Sequence, residues 1–429
     1  MRRLAPPLVA VVLIVAGCTN DSPSAPAAFD LAPPTETTDL GTPPGEASDM
    51  TVAPPDLSSP GSVDLASPAD LGPPGPIGVR VVGGGDDVLD VSIDQGGGLW
   101  WVTSARVAYL PPGRTAPFTY NQSNGLARGW TTWVDDWFQN PNVPTTMPVT
   151  FSAVGGATPG QAIVGNIGAI ADRLEVDPAT GAILRLDNMQ VDVSSGNVEK
   201  LEQRRRVVAT LVVAVDLNGT WSGTAYLGGY HGISAFHGLT GDCGCLAFEQ
   251  HTHFINDQYL AGSSVRAFDF TSDGDLWSGD RKMASLLYQR SRGATASLFE
   301  SFGAGVDVWP PFTAGDDITG VAVDARGSAF IASSTNGLAR LDAPSYAPTY
   351  VTMPSNDLTG ATFDRAGDLW IGSASSGLYR YRPSTGTFTR YTTADGLPSN
   401  TIRRVHADTL TPAGSILVGT RSGAAIITP

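Results

Sequence analysis

The chain has 429 residues, of which 26 are Lys or Arg and 41 are Asp or Glu, giving a net charge of -15 at pH 7. This surplus of acid excludes the broad basic surface that nucleic-acid binding requires, so we expect no nucleic-acid partner. The 50 glycines and 32 prolines, with many Val, Thr, Trp and Tyr, favour β-strands joined by turns over helices.

The first eighteen residues have the organisation of an export signal. Arg2 and Arg3 give a positive start, and the apolar run from Leu4 to Ala16 is shorter than the ~20 residues of a membrane-spanning helix. Residues 15–18 (Val-Ala-Gly-Cys) resemble the lipobox of bacterial lipoproteins. The resemblance implies a signal peptide over 1–18 and lipid attachment to the thiol of Cys18. The alternative is an ordinary signal peptide with an incidental cysteine.

Lipid attachment would determine where the protein resides. Several acyl chains, each contributing ~0.8 kcal/mol per buried methylene group, make attachment effectively permanent, so the membrane is an expected partner. By resemblance to known lipoproteins, an aspartate directly after the cysteine favours retention in the inner membrane. Thr19 stands there instead. We therefore expect a lipid-anchored protein of the bacterial cell envelope, at the outer membrane.

Residues 19–76 differ in composition from the rest of the chain. They contain nine acidic residues, no Lys or Arg, and a loose repeat of Asp-Leu followed by proline. Too little apolar surface is present to offset the entropy of ordering this segment, and proline and like charges favour an extended chain. We interpret 19–76 as a disordered Pro/Asp-rich linker that holds a domain off the membrane; the alternative is a tail without a role.

A repeated pattern follows the linker. Each copy reads as a strand, a turn rich in Gly and Asp, and a second strand. Six copies are recognisable, at residues 86–101, 213–223, 268–279, 316–331, 361–372 and 402–419. A degenerate seventh copy has Phe151–Val154 and Ala162–Gly165 as its first two strands and a turn at residues 177–181. In the clearest copy, Gly377–Tyr381 and Thr387–Tyr391 are predicted as third and fourth strands.

The copies resemble the two-component-regulator propeller repeat, whose pattern runs L-P-S-N, a strand ending in Asp, G-x-L-W-I-G-T, G-L, R-Y, T-G and F. The match is close over 356–429, fair over 86–126 and 317–341, and degenerate between 127 and 310. Propellers of the NHL type and streptogramin lyase have similar blades. The resemblance implies an all-β fold, a seven-bladed β-propeller of four-stranded antiparallel blades over residues 77–429.

Radial packing explains why such copies would form a ring. A single four-stranded blade cannot bury both of its faces, whereas neighbouring blades bury them against each other. We expect the aromatic residues at 100, 221, 277, 330 and 370 to pack between blades. The last copy ends after three strands, and residues 77–82 form a strand with no blade of its own. We therefore expect this N-terminal strand to close the final blade.

Both remaining cysteines and four of the five histidines fall between residues 231 and 253. His251 and His253 are two apart and share one side of a strand; with Cys243 and Cys245 they could supply four ligands to a zinc-like ion. Export favours instead a local disulfide between Cys243 and Cys245, since the intervening glycine permits a tight turn. The third alternative is buried cysteines with surface histidines. No other cofactor is expected.

A second candidate site lies in an insertion between the first two blades, at residues 127–148. In a propeller, the connection from an outer strand to the next inner strand lies on the face where ligands usually bind. Exposed aromatic rings beside carboxylates suit a carbohydrate or a peptide; the alternative is that the rings cap the fold. The residues predicted to bind a ligand here are Trp130, Trp133, Asp135, Asp136 and Trp137.

The sequence contains no GxSxG, HExxH, GxGxxG or phosphate-binding P-loop motif, so we interpret the protein as a non-enzymatic module. It would bind or scaffold an envelope protein, a peptide or a glycan. The family resemblance implies ligand sensing, with any signal passed through a partner protein. The alternative is a metal-dependent lyase resembling streptogramin lyase. Glu249 and His251 resemble the acidic and histidine pair of that enzyme, but the motif around the pair does not match.

Overall fold

A computed structural model describes residues 77–126, 150–167, 171–189, 210–217, 223–229, 232–237, 239, 251–254, 265–272, 275–279, 284–289, 302–308 and 317–429. The predicted signal peptide and linker lie outside these residues. Within the described ranges, helix is limited to two 3-10 turns, Gln122–Asn124 and Thr393–Asp395. None of the helices in these ranges has the length and hydropathy of a membrane span.

The described strands form seven antiparallel sheets of four strands each. We call each sheet a blade, and the first strand of a blade along the chain, β1 excepted, its inner strand. In the first six blades the strands pair in chain order. The strands of the first three blades are β2 (Asp90–Ile93), β3 (Leu99–Val102), β4 (Val107–Leu110), β5 (Phe118–Tyr120), β6 (Thr150–Gly156), β7 (Gln161–Ile167), β8 (Ala171–Val176), β9 (Ile183–Met189), β10 (Thr210–Asp216), β11 (Thr224–Gly229), β12 (Gly232–His237) and β13 (His251–Phe254).

In the fourth, fifth and sixth blades the strands also pair in chain order. The seventh blade contains the last three strands of the chain, together with one strand described below. The seventh copy predicted from the degenerate pattern is the second blade, with β6 and β7 at the expected residues. The strands from the fourth blade onward are β14 (Ala267–Phe270), β15 (Leu276–Gly279), β16 (Ala284–Gln289), β17 (Phe302–Val308), β18 (Ile318–Val323), β19 (Ala329–Ser333), β20 (Gly337–Leu341), β21 (Pro348–Val351), β22 (Leu358–Phe363), β23 (Leu369–Ser373), β24 (Gly377–Arg382), β25 (Thr387–Tyr391), β26 (Ile402–Ala407), β27 (Ile416–Thr420) and β28 (Gly423–Thr428).

An aspartate organises the turn after the inner strand. In the first blade, Asp94 Oδ1 accepts two backbone N–H groups of the turn at 2.8 and 2.9 Å, and Asp94 Oδ2 accepts the indole Nε1–H of Trp100 at 3.1 Å. Asp364 forms the equivalent bonds in the sixth blade, including one from Trp370 Nε1 at 2.8 Å. The Asp and Trp of the repeat therefore form one unit, in which the carboxylate shapes the turn and positions the tryptophan.

Buried apolar residues lie between neighbouring blades. Seven apolar clusters occur in the described part of the chain, and each joins two blades; six join consecutive blades and one joins the seventh to the first. Trp100, Trp277, Phe330 and Trp370 are each 0% exposed in these clusters, as expected for aromatic residues between blades. Trp221, the fifth such residue, lies outside the described residues.

β1 (Gly78–Val82) is the outer strand of the seventh blade, whose order is β1-β28-β27-β26. It runs antiparallel to β28, in a register from Gly78 opposite Thr428 to Val82 opposite Ala424. This pairing is the one expected from the open edge of the final blade. It covers backbone groups that a three-stranded blade would leave unpaired.

The fourth blade departs from the aspartate rule. Thr271 occupies the turn position, and its hydroxyl accepts the backbone N–H of Asp275 at 3.0 Å, as a carboxylate oxygen does in other blades. A threonine has no second oxygen to offer. The indole Nε1–H of Trp277 is buried and has no hydrogen-bond partner among the residues that the structure describes. An unsatisfied buried donor costs about 1–3 kcal/mol, so this blade carries a local defect.

Thr271→Asp is expected to repair the defect. The second carboxylate oxygen would accept the Trp277 N–H, raising the free energy of unfolding by about 1 kcal/mol. Chemical denaturation monitored by tryptophan fluorescence and circular dichroism would measure the gain. Thr271→Asn is the matched control, because an amide has one acceptor oxygen and should give little gain. In a Trp277→Phe background, which has no indole N–H, an equal gain from Thr271→Asp would contradict this explanation.

Candidate functional site

The inner strands of all seven blades surround one central cavity of about 280 Å³. Each inner strand contributes side chains or backbone to its wall, so the cavity is the channel along the middle of the ring. The inner strands end at the turns described above and begin at the opposite end of the channel. The residues that line the channel from the seven inner strands include Ser92, Gly155, Ala214, Asp269, Val321, Thr362 and His406.

A second cavity, of about 400 Å³, lies where the inner strands begin. Thr319 and Arg404 line both cavities, so the second one adjoins the channel at this end. Three arginines and three hydroxyl residues form most of its lining, and we call it the arginine mouth. Its described lining consists of Leu89, Ser152, Arg266, Thr319, Thr359, Arg403 and Arg404.

Two of the mouth arginines lie on opposite sides of the ring and contact each other. Arg404 is on the inner strand of the seventh blade, and Arg266 directly precedes that of the fourth. Arg404 Nη1 donates a hydrogen bond of 3.2 Å to the backbone carbonyl of Arg266. Arg266 Nη1 in turn lies 2.7 Å from Asp317 Oδ2. The guanidinium of Arg404 therefore reaches across the channel entrance.

The third arginine is held at the rim. Arg403 Nε and Nη2 donate hydrogen bonds of 2.9 and 2.8 Å to the two carboxylate oxygens of Asp87. This bidentate pair joins the seventh blade to the segment before β2. Because a two-bond fork restricts rotation of both side chains, it gives Arg403 a defined position.

The hydroxyl groups of the mouth differ in their bonding. Thr319 Oγ1 donates a hydrogen bond of 2.8 Å to the carbonyl of Leu358, which links the fifth and sixth blades. Thr359 Oγ1 is buried and has no hydrogen-bond partner in the described part of the structure. A buried hydroxyl without a partner is uncommon in folded proteins. Thr359 therefore has an unused donor and acceptor at the mouth.

Beside the channel, a buried carboxyl group joins three blades. Asp90, on the inner strand of the first blade, is 0% exposed. Its Oδ2 accepts the backbone N–H of Val154 in the second blade at 2.9 Å, and its Oδ1 lies 2.7 Å from His406 Nε2 in the seventh. Burying a carboxyl group is costly without such partners. Asp90 therefore holds the inner strands of three successive blades together.

Asp269, in the fourth blade, likewise joins its inner strand to that of a neighbouring blade. Its carboxyl oxygens accept the backbone N–H of Phe270 at 2.8 Å and that of Val323, in the fifth blade, at 2.9 Å. Burial raises the pKa of Asp269 to about 6, and the hydrogen bonds from Val323 and Phe270 and the nearby His406 only partly oppose this shift. The channel thus contains a carboxyl group that changes charge in mildly acidic solution.

The residues predicted from sequence to form a site mostly lie outside the described ranges. This holds for Glu249 and for the lipidation, aromatic and cysteine positions: Cys18, Trp130, Trp133, Asp135, Asp136, Trp137, Cys243 and Cys245. His251 and His253 are in strand β13, whose backbone pairs with β12, but their side chains are outside the description. The described residues contain no group of three or more metal-ligating side chains. The disulfide, zinc and aromatic sites stay predictions.

The arginine mouth and the channel carboxyls were missed in the sequence. A signal for them exists once the copies are aligned on the turn residue. The turn residue is Thr271 in the fourth blade and Asp408 in the seventh. Asp269 and His406 each stand two residues before it, at a position where most of the other inner strands have small or apolar residues. Asp269 and His406 both line the channel, and each bonds to a polar group of a neighbouring inner strand. Aligned inner strands therefore identify channel residues.

Comparison with known proteins gives structural neighbours only. No protein-family model matches the chain, and no curated protein sequence matches it. One solved neighbour is the extracellular domain of a protein described as a hybrid two component system from B. thetaiotaomicron, with a TM-score of 0.53 and 17% identity over 82% of this chain. The chain spans 42% of the length of that neighbour.

Two other neighbours have the same architecture. PorZ, described as a surface component of the type-IX secretion system of Porphyromonas gingivalis, has a TM-score of 0.51 and 15% identity over 80% of this chain and 46% of its own. YCF48 bound to D1 peptide has a TM-score of 0.52 and 10% identity over 84% of this chain and 99% of its own. The chain is a β-propeller. At these identities the likeness establishes the fold of the propeller and not its ligand.

Asp269→Asn is expected to change how the stability of the propeller depends on pH. Asp269 keeps its proton up to about pH 6 when folded, against 3.8 for the ordinary group. Between these values the folded state binds more protons than the unfolded state, so the free energy of unfolding falls as pH rises. This loss is at most about 1.4 kcal/mol per pH unit, and asparagine removes it.

Urea unfolding at pH 4, 5, 6 and 7 would test this expectation. The free energy of unfolding of Asp269→Asn, relative to that of the unsubstituted protein, should increase from pH 4 to 6 and then level off. The asparagine loses one acceptor for a backbone N–H, which lowers stability by a similar amount at every pH. Two curves that run parallel throughout would show that Asp269 titrates as an ordinary aspartate.

Proposed function

We propose that this protein is an envelope-anchored propeller that binds a protein, peptide or glycan without catalysing a reaction, with its ligand at the end that holds the arginine mouth. The observation that carries the proposal is that mouth. An open cavity with three guanidinium groups and a buried, unpartnered hydroxyl is suited to recognition of a polar ligand.

The neighbours support a ligand of macromolecular size. One was solved with a bound peptide and another is described as a bacterial surface component. The predicted insertion agrees with this view of the face. Residues 127–148 connect the outer strand of the first blade to β6, and β6 begins two residues before Ser152 of the mouth. We propose that Trp130, Trp133 and Trp137 contribute to the same binding face.

The proposed location rests on the sequence of the first 76 residues. A lipid on Cys18 would attach the chain to the outer membrane, and the acidic, proline-rich residues 19–76 would separate the propeller from the lipid surface. A propeller tethered in this way can meet other envelope components without entering the membrane. The partner in this proposal is therefore another envelope component.

Cys18→Ala tests the anchor. The substitution removes the thiol that accepts the lipid, so incorporation of labelled palmitate should be lost and an uncleaved precursor should accumulate. Both are read from the same gel of metabolically labelled cells. A variant that is processed and fractionates with membranes as the unsubstituted protein does would contradict the lipoprotein assignment.

Site-specific photo-crosslinking in the native cells tests the binding face. A photoreactive residue at Thr359, in the mouth, should give discrete adducts of higher mass that an excess of untagged protein competes away. The same residue at Arg326, in the exposed turn at the other end of the channel, is the matched control and should give none. Adducts of equal yield from both positions, or none from either, would contradict the proposed face.

A further inference from the structure

We propose that the arginine mouth is a carboxylate-binding site, which takes an acidic side chain or the C-terminus of a peptide segment of the partner. This inference rests on the proposed function, because it names the chemical group recognised at the face assigned there. The residues that would bind the carboxylate are Arg404, Arg266 and Thr359, with Arg403 at the rim.

The lining of the mouth has the donors that a carboxylate requires. Guanidinium groups present N–H donors in a planar fork that matches the two oxygens of a carboxylate. Arg266 and Arg404 are brought together by the hydrogen bond from Arg404 to the backbone of Arg266. The buried hydroxyl of Thr359 lines the same cavity without a partner among the described residues. A bound carboxylate oxygen would give that hydroxyl an acceptor.

The charge of the lining is positive. The whole chain carries a net charge of -15, yet no described residue lining the mouth is acidic, while three are arginines. Asp317 and Asp87 bond to Arg266 and Arg403 from outside the lining and offset part of the charge of these two arginines. A cleft with one sign of charge and walls of low dielectric concentrates ligands of the opposite sign. The mouth therefore favours an anionic group over a neutral or cationic one.

The lining of the cavity suits an acidic peptide group. The cavity of about 400 Å³ has no aromatic side chain among its described lining residues, so the group that it holds contacts guanidinium, hydroxyl and aliphatic groups. The tryptophans at 130, 133 and 137 are proposed for the surrounding face and not for this cavity. Leu89 supplies an apolar wall beside the arginines. This combination suits the methylene groups and carboxylate of an acidic residue. Tight binding of a sulfated sugar would contradict the choice of a peptide as the ligand.

Titration calorimetry on the purified full chain at low ionic strength tests the site, with three tetrapeptides as probes. Amidated tetra-glutamate carries side-chain carboxylates only, tetra-glutamine with a free C-terminus carries a terminal carboxylate only, and amidated tetra-glutamine carries neither. We expect binding of the first or the second and none of the third. The one that binds identifies the source of the carboxylate. Equal binding of all three would overturn the proposal.

Variants assign the binding to the mouth. Arg404→Gln should weaken the affinity for the binding probe at least about tenfold, since a charge-assisted pair is lost. Thr359→Val, which keeps the shape and the charges of the mouth, should weaken it about threefold. Arg340→Gln is the matched control, because Arg340 pairs with Asp342 at 2.9 Å on a blade surface away from the mouth. It should change the affinity by less than about twofold.

Thermal unfolding of each variant shows whether it is folded, and Thr359→Val keeps the test decisive if Arg404→Gln unfolds. An equal loss in Arg340→Gln and Arg404→Gln would show that the charge of the whole surface attracts the probe, and would overturn the site. A sulfated oligosaccharide that binds ten or more times more tightly than the peptides, on the order of 1.4 kcal/mol, would overturn the choice of a peptide. Crosslinked adducts at Thr359 without any carboxylate binding would leave the binding face in place and reject this inference alone.

Discussion

The hydrogen bonds of the aspartate that ends an inner strand determine how a blade is built and how it packs. One oxygen of Asp364 fixes the turn, and the other accepts the indole N–H of Trp370 six residues later. The tryptophan then lies flat against Tyr391 of its own blade, at 5.6 Å between ring centroids, and packs against the seventh blade. In the first blade, Trp100 stacks on Tyr109 in the same way, at 4.1 Å. A short polar interaction in the turn therefore positions the largest apolar side chain of the interface between blades.

Closure of the ring of blades is the second constraint. The channel has a fixed width only if the seventh blade packs against the first. Pairing of β1 with β28 completes the seventh blade from the start of the domain, so the two ends of the repeat array lie in one sheet. The contact between His406 and Asp90 joins the seventh and first blades again at the channel. Arg403 and Asp87 do so at the mouth. Three different kinds of interaction thus hold the same junction, which the chain itself crosses through residues 83–89, between β1 and β2.

The repeats allowed the fold to be predicted, whereas the site could not be. Each blade is built from contacts close in sequence, such as Asp94 with Trp100, so the pattern is visible even where the copies have diverged. The mouth instead brings together residues far apart in the chain: Arg266 and Arg404 are separated by 138 positions. Nothing in the local pattern around either arginine indicates the other. Most of the residues that the sequence pointed to, including Trp130, Trp133 and Cys243, lie outside the described residues, whereas His251 and His253 lie in β13.

The inner strands explain why polar residues accumulate in the channel without weakening the blades. Asp269 and His406 line the channel and bond to polar groups of a neighbouring inner strand, so each can replace a small residue while the apolar clusters between blades stay intact. Where such a residue also bonds to the next inner strand, as Asp269 does to Val323, it stiffens the ring that it lines. The charged residues of the fourth and seventh blades lie on opposite sides of this ring of inner strands, which acts as a stiff frame. Because the frame fixes their separation before any ligand arrives, little conformational entropy is lost when a ligand binds between them.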